Sequence, residues 1–100
     1  MRDIMLWGFN MAYEISGCHP QKFRRVIGIF ERGRWYEVHD PDYMAHFTAS
    51  RIEIFFDHKC TIYLRAERNT LGIEHFARSL EKVAGGNLHV IDDKVLSTQV

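Results

Sequence analysis

The sequence predicts an α+β fold in which an antiparallel sheet, built largely from hairpins, is packed by one main C-terminal helix. Three patterns carry that expectation: an alternating run from Met5 to Ile15, a pair of alternating runs on either side of Asp57–Lys59, and a helical stripe from Ile73 to Ala84. The chain has 100 residues, 46% hydrophobic and 26% charged, the balance of an ordinary globular protein. That length supports one core, so residues 1–100 are read as a single domain.

In the first run Met5, Trp7, Phe9, Met11, Tyr13 and Ile15 share one face, and Asn10, Ala12, Glu14 and Ser16 the other, until Gly17 and Pro20 end the strand. The segment from Phe23 to His39 admits two readings. Phe23, Val26, Ile27 and Phe30 fit a helix that starts near Pro20, whereas Gly28 and the β-branched residues around it favour strands. A hairpin turning at Arg32-Gly33 accounts for more residues, pairing Ile29 with Tyr36, Ile27 with Val38, and Phe30 with Trp35 on the opposite face. The helical alternative would make the chain a ferredoxin-like βαββαβ unit.

Asp40-Pro41-Asp42 is turn chemistry, and the stretch through Ser50 reads as loop or a short helical turn. Beyond it, Ile52, Ile54 and Phe56 face Cys60, Ile62 and Leu64 across a second hairpin. A one-residue slip inverts a strand's faces, so the loop must have an odd length. Three residues, Asp57-His58-Lys59, pair Phe56 with Cys60, Ile54 with Ile62 and Ile52 with Leu64, and turn Cys60 inward. From Thr70 the period becomes helical: Ile73, Phe76, Ala77, Leu80, Val83 and Ala84 form the stripe, and Gly85-Gly86 stop the helix. Asn87–Ile91 reads as a last strand, and the chain is expected to fray after Lys94.

Thirteen basic and thirteen acidic residues leave no formal net charge, so the basic excess of a dedicated nucleic-acid binder is absent, although Arg24, Arg25, Arg32 and Arg34 cluster. Neutrality also weakens self-repulsion, and a protein partner or self-association as a homodimer is expected. No export signal and no uninterrupted apolar run suited to a bilayer are found, so a cytoplasmic location without membrane contact, and free thiols, are expected.

Cys18-His19 and His58-Lys59-Cys60 have the residue types of a zinc site but not the usual ligand spacing; a buried thiol and a turn histidine are the simpler reading, and no metal is expected. His39, Asp40 and Asp42 could serve a small metal-assisted enzyme, yet they also describe an exposed turn. No phosphate-cradling glycine loop or nucleophile motif is present, so no catalytic residue and no cofactor are assigned. What remains is surface. Phe30, Trp35 and Phe55, at positions opposite the buried face, together with Arg34 form the candidate partner-binding set, the aromatic-plus-arginine composition of interface hot spots. The function expected is therefore a non-enzymatic interaction protein, such as an inhibitor, immunity protein or antitoxin-like adaptor. The alternative is a small nucleic-acid-binding or nucleic-acid-processing domain using the Arg24–Tyr36 region.

Overall fold

The computed structural model describes residues 11–39, 49–66 and 71–99. Their elements are β1 (Met11–Ser16), α1 (Pro20–Ile29), β2 (Trp35–His39), β3 (Ala49–Phe56), β4 (Ile62–Ala66), α2 (Leu71–Ala84), β5 (Asn87–Asp92) and α3 (Asp93–Gln99). The five strands form one sheet in the order β2-β3-β4-β1-β5, with every neighbouring pair antiparallel. The α+β class is the one the sequence predicts. Relative to βαββαβ, the string of elements carries one further strand and one further helix.

Strand alternation sorts the sheet residues onto two faces. On the inner face Tyr13, Ile15, Val38, Ile52, Ile54, Ile62, Leu64 and Ala66 pack against Phe23 and Val26 of α1 and Ile73, Ala77, Leu80 and Ala84 of α2. On the outer face a smaller cluster joins Ala12 and Tyr63 to Leu96 of α3, with Phe55 and Ile91 beside it. The expected fraying after Lys94 is thus corrected. Asp93–Gln99 is helical, and Leu96 is fully buried because the sheet offers it an apolar seat. The part of the first strand before Met11, the Asp40–Asp42 turn and most of the following loop lie outside the described residues, while Ala49 and Ser50 belong to β3 rather than to a loop.

The hairpin proposed for residues 27–38 is also corrected: Pro20–Ile29 is a helix. Pro20 sits in its first turn, where a missing N–H costs nothing. Two residues decide the outcome, since Phe23 and Val26 are both buried on the helical spacing while Ile27 and Ile29 remain exposed. The loss in local propensity is offset by packing, and Gly28 is tolerated on the solvent side. A Cβ at Gly28 would meet no atom within 4 Å. Gly28→Ala is therefore expected to raise stability by about 0.5–1 kcal/mol, measurable as a higher urea midpoint.

The β3–β4 hairpin keeps the predicted faces but not the predicted register. Phe56 pairs with Ile62, Ile54 with Leu64 and Ile52 with Ala66. The loop is therefore residues 57–61, still odd in length, and it is held by Asp57. Its backbone N–H donates to the Thr61 carbonyl at 3.1 Å, and its Oδ1 accepts the N–H groups of Lys59 and Thr61 at 2.9 and 3.0 Å. Cys60 closes the turn in the left-handed region, with φ 58, and is half-buried against the inner core.

α2 ends as expected at Gly85, whose φ of 69 suits glycine and whose N–H donates to the Glu81 carbonyl at 2.9 Å. The Glu81 side chain reaches on to accept the Leu88 N–H at 2.7 Å, joining helix to strand. β4 and β5 both run antiparallel to β1, which lies between them, so α2 carries the chain across β1.

A candidate interaction surface on the outer sheet face

The inner face is occupied by two helices, whereas on the outer face, among the described residues, α3 packs over Ala12, Tyr63 and Ile91. Across β2, β3 and β4 the register then sets polar and aromatic residues side by side. Trp35 pairs with Glu53, Glu37 with Arg51, Glu53 with Arg65, and Phe55 with Tyr63. Two arginines lie over two of the rings. The Arg51 guanidinium is 5.2 Å from the Trp35 ring centre, and that of Arg65 is 5.6 Å from the Phe55 ring centre. Both distances are within reach of a cation–π attraction.

Arg65 is fixed from three sides. Its Nε donates to Asp93 at 2.6 Å, one terminal nitrogen donates to Glu53 at 3.1 Å, and the other to the Ser97 hydroxyl at 3.4 Å. Glu53 and Arg65 are cross-strand partners of β3 and β4, and Asp93 and Ser97 extend the pair to α3. These groups are only partly exposed, at 27% for Arg65, 15% for Glu53 and 21% for Asp93, so the network anchors α3 in a setting less screened than open water. Arg51 is exposed and Trp35 half-buried at the β2 edge of the sheet.

Of the four residues proposed from the sequence, Trp35 and Phe55 do share this outer face, and Phe30 and Arg34 do not join them. Because α1 replaces the first arm of the proposed hairpin, Phe30 caps the helical layer. It stands edge-on to Tyr36, with ring centres 5.0 Å apart, and to Phe76 at 6.1 Å. Arg34 is exposed, paired with Glu31 at 3.3 Å and placed over the Tyr36 ring at 5.8 Å. Arg51 was missed by the sequence reading. Its signal was available in the alternation of β3, where positions 51, 53 and 55 oppose the Ile52, Ile54 and Phe56 set.

The two cysteines do come together. The Cys18 N–H donates to the Cys60 carbonyl at 3.1 Å, and the Cys18 thiol contacts the Ile15 carbonyl oxygen at 3.4 Å. Burial pushes the Cys18 thiol up to about 11, with the neighbouring Cys60 adding to the rise. At neutral pH it is a protonated core side chain rather than a nucleophile. Among the described residues, no group of three histidine, cysteine or acidic side chains is placed to hold a metal ion. No described helix is long and apolar enough to cross a membrane.

Comparison of the chain with protein-family models, with curated proteins and with solved structures gives no match.

Proposed function

We propose that this protein is a non-enzymatic interaction protein that binds a macromolecular partner, itself a protein, through the outer face of β2 and β3. The observation that carries the reading is the Trp35–Arg51 pair beside the Phe55–Arg65 pair on one side of the sheet. Half-buried aromatic rings with a guanidinium over each combine a large apolar area with a planar hydrogen-bonding group, the chemistry enriched at interface hot spots. Alternating carboxylates, Glu37 and Glu53, make the rim mixed in charge, which favours a protein partner over a phosphate backbone.

The test is capture of the partner from the native cell extract, repeated with the double variant Trp35→Ser, Arg51→Ser. The variant should keep its circular dichroism and a cooperative unfolding transition while its association weakens by about 2–4 kcal/mol. Full binding by the folded variant would place the interface elsewhere. Capture that collapses steeply between low and high salt would instead identify a nucleic acid, because phosphate neutralisation releases counterions. Concentration-dependent sedimentation of the purified chain, lost in the variant, would identify the partner as a second copy.

A further inference from the structure

A cleft of about 540 Å³ opens where β3 turns into β4, within the range of small-molecule sites. It differs from most such sites in being lined by ionic groups. Arg32 enters from the α1–β2 loop, Lys59 from the β3–β4 loop, Tyr63 from β4 and Glu14 from β1. Glu14 and Tyr63 are register partners on the outer face, and the Arg32 loop runs beside β3, since the Gly33 N–H donates to the Ile54 carbonyl. In the strand order Arg32 therefore stands beyond β3 on one side, and Glu14 stands beyond β4 on the other. Roughly three strand spacings, about 14 Å, separate their backbones, and the intervening space holds the cleft.

Asp57 also lines the cleft, but it is committed. Its Oδ1 accepts two loop N–H groups, and its Oδ2 accepts the Tyr63 hydroxyl at 3.3 Å. Glu14 and Arg32 are different: neither side chain makes a hydrogen bond or ion pair with a described residue. Glu14 is half-buried on an interior strand, a position where a carboxylate is ordinarily partnered. Burial raises the Tyr63 phenol above its ordinary pKa, and the charges of Asp57 and Glu14 add to the rise, so the Glu14 side of the cleft is electronegative. A simple anion would meet Glu14 unfavourably, and a simple cation would meet Arg32 and Lys59 unfavourably.

We propose that the cleft binds a small zwitterion, a free amino acid or a short peptide, with its ammonium against Glu14 and its carboxylate against Arg32 and Lys59. This site is separate from the Trp35–Arg51 surface and stands or falls independently of it. Each end of the ligand forms a charge-assisted hydrogen bond, and the ammonium end lies at the half-buried Glu14, where such a bond is strongest.

The probes are glycine and glycylglycine, with N-acetylglycine lacking the ammonium and glycinamide lacking the carboxylate. Each is titrated into the uniformly ¹⁵N-labelled full chain, followed by amide shifts. Saturable shifts at Glu14, Thr61 and Tyr63 are expected for at least one zwitterion, with roughly tenfold weaker binding of both single-charge probes. Whether glycine or glycylglycine binds more tightly separates the amino acid from the peptide. Glu14→Gln and Arg32→Gln should each weaken the zwitterion roughly tenfold while leaving the circular dichroism unchanged. The proposal is overturned if no probe saturates, if N-acetylglycine or glycinamide binds as well as the zwitterions, or if both folded variants bind like the native chain.

Discussion

Leu80→Ala is expected to lower the unfolding free energy by about 2–5 kcal/mol, seen as a reduced urea midpoint with little change in slope. Leu80 is buried on α2 between Ala77 and Ala84, which are buried as well. Small residues on both sides let α2 lie close to the sheet and leave Leu80 to fill the space between them. Neither alanine has the reach to refill the cavity that its loss would leave, which puts the cost above a simple transfer term. A loss below about 1 kcal/mol would show that the stripe from Ile73 to Ala84 is not a closely packed seam.

Gly86→Ala should be nearly as damaging, although it adds a single methyl group. A Cβ there would lie 2.8 Å from Ile15 Cγ2, 2.8 Å from the Ser16 carbonyl oxygen and 2.9 Å from the Cys18 sulfur. The Ser16 oxygen belongs to a strand backbone that is paired with Asn87 and cannot swing away as a flexible side chain would. An overpacking cost of about 1–3 kcal/mol follows, which for a domain of this size lowers the thermal midpoint by roughly 4–8 °C per kcal/mol. Gly28→Ala, the opposite case, serves as the internal control. A Gly86→Ala protein as stable as the parent would mean that the α2–β5 connection is loose, contrary to its close approach to β1.

The elements that could be read from the sequence are those in which local pattern and tertiary demand agree. The α2 stripe, its glycine stop and the parity of β3 and β4 all satisfy one periodicity and one buried face. The Phe23–Ile29 segment is ambiguous in sequence because its residues satisfy both periods. Ile27 and Ile29 look like strand core, yet in the fold they face solvent, and only the three-dimensional seat for Phe23 and Val26 shows why. The β3–β4 loop is two residues longer than alternation suggests, because alternation fixes faces but not length. Length was set by the side-chain bonds of Asp57 and by the left-handed Cys60, neither of which leaves a periodic trace.

The candidate surface was half legible for the same reasons. Trp35 and Phe55 were placed together by strand parity, which survives an error in register. Phe30 lies in the other layer because the residues before it form α1 rather than a strand. Alternation places Arg51 on the face of Glu53 and Phe55, but its seat over Trp35 depends on β2 adjoining β3, and the α3 end of the Arg65 network depends on what Asp93 approaches.

The position of β1 between β4 and β5 governs the order in which the protein can assemble. Met11 pairs with Asp92 and Ser16 with Asn87, so almost the whole chain separates the two sides of those ladders. The β3–β4 hairpin and α2 can form as soon as they are synthesised, because their contacts are local. β1, by contrast, is made before the other described strands and must wait for β5 before both of its edges are filled. Closing such long loops before any contact repays the lost chain entropy slows folding. During that wait β1 exposes an unpaired edge to other nascent chains, the period when an alternating apolar strand is most prone to mispairing.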